Sequence, residues 1–315
     1  MNDVKPVVMI GAGPSALAAA VYTTREDIDT TLYEKGVVGG LAAITDMVDN
    51  YPGFPDGIEG MTLAEQLRKQ AERFGAKIEY GDVSAIKDCG DYRELTVDGK
   101  PVKAKAVLIA TGSDYNKLGI PGEAEYYGRG VHYCATCDGA FYRDKRLVVV
   151  GGGNSGVQEA LFLTRFTSHI DLLVRSTVKA SQVLQDELQK YVDSGKVTVH
   201  LGTVPTEIVA EDGKVVKVVG TKDGAPAEFA TDGVFVFIGL KPNTQFLAGS
   251  GVALDEFGLI KTDAHLATNI PGVYASGDVR SGATMQIASA VGEGATAALS
   301  IREFLEEHKR LAPVN

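Results

Sequence analysis

Cysteine is scarce: the 315 residues contain three, Cys89, Cys134 and Cys137. A secreted scaffold stapled by disulfides would carry more, in even number and spread through its loops. So few thiols predict a protein of the reducing cytoplasm, with one working pair and one spare, and Cys89 reads as a small residue beside the turn Cys89-Gly-Asp91. Basic residues are outnumbered, 31 Lys and Arg against 41 Asp and Glu, for a net charge of −10. That balance argues against broad nucleic-acid binding, which needs a basic face. It leaves docking of a protein partner open, because a local patch can differ in sign from the total. Long hydrophobic runs are missing too. Residues 7–10 and 17–21 are apolar, but Gly11-Ala-Gly13-Pro14 separates them and no basic segment precedes a continuous apolar stretch, unlike a signal peptide. Nothing approaches the ~18 consecutive apolar residues of a membrane span. A soluble protein with no membrane partner is expected.

What is plentiful is glycine, 37 residues, as expected where tight turns bring backbone close to phosphates. Apolar residues at 44% and charged residues at 23% are ordinary for a globular protein. The length suits two domains.

The glycines fall into two dinucleotide fingerprints. The first, Gly11-Ala-Gly13-Pro14-Ser15-Ala16, follows a buried strand at residues 7–10 and opens a helix at 14–25. A further strand at 30–33 then ends on the acid Glu34. Strand, turn, helix, strand and terminal acid are the context that makes such a motif specific. The glycines of such a motif serve separate ends, namely a tight turn, close approach to pyrophosphate, and helix–strand packing. The helix beginning near Pro14 would turn its free N–H groups to the pyrophosphate, and Glu34 would accept from ribose hydroxyls, as suits the adenosine half of FAD. The alternative is a strand–helix turn of the same kind with no ligand.

The second fingerprint, Gly151-Gly-Gly153-Asn154-Ser155-Gly156, repeats the pattern: strand 147–150, helix 154–166, strand 170–174. There the acid is replaced by Arg175, with Ser176 next and Lys179 close behind. A cation at that position suits a 2′-phosphate, hence NADPH over NADH; the alternative is an ordinary surface arginine. Helices are also expected at 61–74, 181–192 and 284–308, and strands at 106–110, 197–200, 234–238 and 273–275. Residues 77–104 and 204–230 read as turn-rich β structure. The simplest topology is α/β, with two Rossmann-like three-layer ββα nucleotide-binding domains, the second inserted into the first. Residues 1–113 and 244–315 would form the FAD-binding domain, and 114–243 the NAD(P)H-binding domain. Two crossing linkers side by side make a natural hinge.

Cys134-Ala-Thr-Cys137-Asp138-Gly139 lies just before the second fingerprint. Thiols two residues apart can cycle between dithiol and disulfide. A zinc site would need four ligands, and only His132 is nearby. A structural disulfide does not suit a reducing compartment. A redox pair is the reading the context supports, with Asp138 delivering or removing a proton; Asp138 also reads as a helix or turn cap. Two nucleotide motifs and a dithiol together describe an electron relay from a nicotinamide or another donor, through a flavin, to a disulfide.

These motifs resemble the low-molecular-weight thioredoxin reductase family over nearly the whole chain. The CATCDG stretch is supported by Gly39-Gly40, by Asn50-Tyr-Pro-Gly53-Phe-Pro55, by Ala110-Thr111-Gly112, and by Gly128-Arg-Gly130-Val. Gly151 to Ala160 and Pro271-Gly-Val-Tyr-Ala-Ser-Gly277-Asp278-Val add to it. The resemblance implies a homodimeric enzyme with FAD in the discontinuous domain and NADPH in the inserted one. Gly11, Gly13, Ser15 and Ala16 would hold the flavin nucleotide's pyrophosphate, Asp278 would bond the ribitol, and Gln286 with Ile287 would lie near the flavin ring. Cys137 would face the flavin, Cys134 would attack the disulfide of thioredoxin or a thioredoxin-like protein, and Asp138 would be the acid–base group. Rotation of the inserted domain would present the dithiol to flavin and partner in turn. Two departures stand out. The family's His-Arg-Arg stretch reads Val174-Arg175-Ser176 here, and its later Phe-Arg-Ala reads Lys179-Ala180-Ser181. Two of three expected cations are thus missing, so a thioredoxin reductase-like enzyme using NADH or reduced ferredoxin is the alternative. Met285 also stands where the family often has an arginine.

Overall fold

In a computed structural model, described over residues 4–45 and 47–311, the chain divides into two compact units. The first comprises Met1–Asp114 with Lys241–Asn315, the second Tyr115–Leu240. Each is a three-layer α/β structure, and each is built on a parallel sheet that is apolar on both faces.

In the first unit the strands run in the order Lys77–Tyr80, Thr30–Glu34, Val4–Ile10, Lys100–Ile109, Arg93–Val97 and Val83–Asp88. Val273–Ala275 pairs in parallel with the far end of Lys100–Ile109, Val273 opposite Val107. The first four are parallel, and the last two fold back as an antiparallel meander. Alternation along a strand sends neighbouring side chains to opposite faces. Val7, Met9, Leu32, Ala106 and Leu108 pack under the fingerprint helix Pro14–Arg25 and the long helix Ile287–Leu311. Val8, Ile10, Tyr33, Val107 and Ile109 form the core of the other face, with Val252, Ile260 and Val279. The fingerprint helix is rich in alanine because its surroundings are tight. A Cβ added at Gly294 on the long helix would run into the Ser15 carbonyl.

The second unit repeats the plan with a five-stranded parallel sheet in the order Val131–His132, Gly233–Val236, Arg146–Val150, His169–Leu173 and Val197–His200. Leu147 and Val149 face the helices Asn154–Leu163 and Gln182–Asp193. Val148 and Val150 face an antiparallel three-stranded sheet of Thr203–Glu211, Lys214–Lys222 and Ala225–Ala230. This is the duplicated, inserted arrangement that the repeated glycine pattern implies. Among the described residues no helix is long and apolar enough to cross a membrane.

Candidate functional site

The three fingerprint positions carry different geometry, and the difference is the same in both units. Gly11 sits at φ +95°, and a Cβ there would lie 2.5 Å from the carbonyl oxygen of Ala110. Gly151 sits at φ +144°, where a Cβ would run into the carbonyl of Phe237. At the third position of the second turn, Gly156 packs against Gly151 so closely that no Cβ fits, whereas Ala16 is accommodated and fully buried in the first. At the middle positions, Gly13 and Gly153, an added Cβ would meet nothing within 4 Å. So the outer two positions pack inward and the middle glycine faces open space at the head of a helix. A gap of that shape, edged by helix N–H groups, fits a pyrophosphate at both turns.

Glu34 does more than end its strand. Its carboxylate accepts from Ala12 N–H at 2.7 Å and from Gly36 N–H at 2.7 Å. Each oxygen keeps capacity for a further donor, such as a ribose hydroxyl. Gly40, at φ +55°, follows a bond from Gly39 N–H to the Ala12 carbonyl. Across the sheet end, Asn243 clasps the Ala110-Thr111-Gly112 turn. Its Nδ2 donates to the Thr111 carbonyl at 3.1 Å, and the Thr111 hydroxyl donates to the Asn243 carbonyl at 2.8 Å.

The chain returns to this site at Ser276-Gly277-Asp278. The buried hydroxyls of Ser15 and Ser276 lie 2.6 Å apart, tying the fingerprint helix to the strand end. Gly277 N–H donates to Glu293 at 2.7 Å, and Arg280 is ion-paired with the same carboxylate at 2.5 Å. The Asp278 carboxylate has no hydrogen-bond partner among the described residues. Burial, with Glu293 adding, pushes it up to about 6. A half-buried carboxylate without protein donors can accept from hydroxyls such as those of a polyol. Asn50 Nδ2 donates to Gln286 Oε1 at 2.9 Å, and Ile287, first residue of its helix, packs with Tyr51 and Phe54.

The direction of that shift fixes a pH dependence. The unfolded carboxyl titrates at about 3.9, so between about pH 4 and 6 the folded flavin-free chain binds the extra proton. Its stability therefore falls as pH rises through that window, and the full penalty is present above it. Asp278→Asn is expected to stabilise the flavin-free chain at pH 8 by about 2 kcal/mol, and by less at pH 5. Denaturant melts at the two pH values read this out. Equal stability of both chains at pH 8 would contradict it.

In the second unit, Asn154 and Ser155 open the helix beside Gly153. The Asn154 side chain accepts from Ser181 N–H at 2.7 Å, and Lys179 N–H donates to the Gly152 carbonyl at 2.7 Å. These two bonds latch residues 175–181 onto the fingerprint turn. Arg175 and Lys179 are exposed and have no ion-pair partner among the described residues.

Cys134 and Cys137 form a disulfide. Cys134 lies in extended backbone at the N-cap of the short helix Ala135–Asp138, and its Sγ accepts from Cys137 N–H at 3.2 Å. Both sulfur-bearing residues are half-buried. Asp138 makes no side-chain cap bond to the turn that follows it. Its Oδ2 lies 3.1 Å from Nδ1 of His132 instead. His132 is 5% exposed, and its Nε2 is 2.7 Å from the Tyr142 hydroxyl. Cys89 is free, and its N–H closes the turn onto the Tyr92 carbonyl.

Sequence reasoning missed Asn243, Ser276, Glu293 and Tyr142, and noticed His132 only as a lone metal-ligand type. A local signal existed for two of them. Glu293 is an isolated acid in the small-residue stretch Val291-Gly-Glu293-Gly-Ala, and His132 interrupts an otherwise apolar strand.

Chemistry that needs two dinucleotides and a dithiol in one chain is two-electron transfer to a disulfide, and this is the class that the fold and its sites define. The chain belongs to the pyridine nucleotide-disulphide oxidoreductase family, whose model matches residues 5–294. It is 42% identical over 306 residues to the thioredoxin reductase of Listeria innocua, covering 96% of this chain and 94% of that one. To the thioredoxin reductase of Bacillus subtilis it is 42% identical over 304 residues, with 96% and 95% covered. The crystal structure of thioredoxin reductase from Streptococcus pyogenes matches with a TM-score of 0.92 at 38% identity, over 98% of this chain and 100% of that one.

Proposed function

We propose that this protein is a thioredoxin reductase, holding FAD at the first fingerprint and passing electrons from NADPH through Cys134–Cys137 to thioredoxin or a thioredoxin-like disulfide. The observation that carries this reading is the disulfide itself, which follows the edge strand Val131–His132 and spans the short helix Ala135–Asp138 that ends in an acid. The named relatives, similar over nearly the full length, support it. A flavin, when bound, supplies the exchange between hydride transfer from a reduced nicotinamide and two-electron reduction of a disulfide.

The rest is work for the chain's own groups. Gly11, Gly13, Pro14, Ser15 and Ala16 bring helix N–H groups to the FAD pyrophosphate, Glu34 takes the ribose, and Asp278 beside Gly277 takes the ribitol. Gly40, Asn50, Ala110, Thr111, Gly112, Gln286 and Ile287 complete that site. Gly151, Gly153, Asn154, Ser155 and Gly156 hold the second pyrophosphate, and Arg175 with Lys179 supplies cations for a 2′-phosphate. The Cys137 N–H at Cys134 Sγ stabilises a thiolate there, which suits Cys134 for attack on the partner. Asp138 then handles the proton of the second thiol. A homodimer working in the cytoplasm completes the reading.

An anaerobic titration tests it. NADPH is expected to bleach the flavin band stoichiometrically, with NADH needing at least about tenfold higher concentration because a charge-assisted hydrogen bond is worth about 1.5–3 kcal/mol. Flavin that stays oxidised at millimolar NADPH yet responds to reduced ferredoxin would overturn the assignment of the donor.

A further inference from the structure

Asp138 is held from behind. We propose that His132 and Tyr142 are positioning residues that fix the orientation and proton affinity of Asp138 through a Tyr142–His132–Asp138 hydrogen-bond relay during thiol–disulfide exchange. The proposal rests on the reading of Asp138 as the acid–base group.

The geometry runs in one direction. An ionised carboxylate only accepts, so the Nδ1 of His132, 3.1 Å from Asp138 Oδ2, carries the imidazole proton. Nε2 is then bare and accepts from the Tyr142 hydroxyl at 2.7 Å. Burial, with Asp138 and Asp232 adding, pushes the Tyr142 phenol far above its usual range, so it remains a donor at any working pH. The ring of His132 is held on both sides, stacked on Phe235 at 5.1 Å and edge-on to Tyr142 at 5.3 Å. Gly233 leaves the space for Tyr142, since a Cβ there would come within 2.9 Å of its hydroxyl. Tyr127 also faces Asp138, and its phenol is raised by burial and by the Asp138 charge. All of these groups lie in the second unit. Asp138 itself keeps 17% of its side chain exposed, enough to meet a sulfur or solvent.

Atoms and electrons balance through the exchange. The Cys134 thiolate forms a bond to one sulfur of the acceptor disulfide, whose S–S bond breaks, and the leaving thiolate takes a proton from solvent. Cys137 gives its proton to Asp138, displaces the acceptor from Cys134 and closes the Cys134–Cys137 bond. The second leaving thiolate takes the proton from Asp138. Two electrons pass from dithiol to acceptor. At each turn the His132 N–H lowers the cost of the returning carboxylate charge and keeps it aimed.

The test uses the full chain with its flavin, reduced anaerobically, and 5,5′-dithiobis(2-nitrobenzoate) as the disulfide probe from pH 5 to 9. Asp138→Asn is expected to remove the acid limb of the pH–rate profile. His132→Ala is expected to move that limb up by about one pH unit, because the carboxylate loses a charge-assisted donor. Tyr142→Phe, which deletes one oxygen, should move it the same way by less, and His132→Asn, which keeps an N–H toward Asp138, should restore it. A uniform loss in His132→Ala with the limb unmoved, or an unmoved limb in Tyr142→Phe, overturns the relay while leaving Asp138 in its role. If His132→Ala does not fold, Tyr142→Phe decides alone. A profile that ignores Asp138→Asn overturns the role of Asp138 and the relay with it.

Discussion

A Cys137→Ser chain is expected to retain its flavin at full stoichiometry and yet reduce a protein disulfide at least about a thousandfold more slowly. The two sulfurs form one S–S bond, and two-electron exchange requires both. With serine at 137, Cys134 can still attack a partner, but nothing resolves the mixed disulfide that results. The residues proposed to hold the flavin lie in the other unit, so their cradle should be untouched by the change. The measurements are the flavin absorbance ratio, steady-state reduction of thioredoxin, and a non-reducing gel for the trapped Cys134 adduct. Turnover within tenfold of the parent would take Cys137 out of the mechanism.

Gly11→Val is expected to lose the flavin and to destabilise the first unit by roughly 2–5 kcal/mol. Two costs combine. A β-branched residue at φ +95° occupies backbone space that L side chains rarely enter, at about 1–2 kcal/mol. Its Cβ also lands 2.5 Å from the Ala110 carbonyl, and overpacking against backbone costs about 1–3 kcal/mol more. Relief would push apart Val4–Ile10 and Lys100–Ile109, which are paired from Val4 opposite Lys103 to Ile10 opposite Ile109. That is a large share of a typical stability of about 5–15 kcal/mol. A melt should drop by about 10 °C. Full yellow colour with an unchanged melt would show that the turn relaxes without harm. Gly13→Ala offers a contrast: its Cβ meets open space, so folding should survive while the pyrophosphate is crowded.

Helix ends show where local reading stopped short. The second fingerprint helix closes at Leu163 rather than running to residue 166. The chain tightens there: the N–H groups of Arg165 and Phe166 donate to the carbonyls of Phe162 and Leu163, three residues back, and the Thr164 hydroxyl takes the Leu161 carbonyl. The last helix begins at Ile287, later than apolar pattern suggests, because Met285 sits at φ +55° and cannot be helical. The strand Val131–His132 and the helix Ala135–Asp138 are too short to show any period at all. Asp138 illustrates the limit best. From its neighbours it reads equally as an acid–base group or a cap; its bond to His132 exists only because the strand Val131–His132 and the helix Ala135–Asp138 bring the two side chains together.

The order of residues alone settled what depends on a few consecutive backbone torsions: the two glycine turns, the helices they open, and the spacing that lets Cys134 and Cys137 join. Those features are local, and steric rules for glycine and for a two-residue thiol gap apply in any surroundings. Folding decided what depends on residues far apart in the chain. The pairing of Val273 with Val107, the contact of Ser15 with Ser276 and the half-buried carboxylate of Asp278 beside Glu293 arise from packing. No short-range pattern encodes them, because each is selected by the volume and polarity of groups that only the tertiary structure makes neighbours.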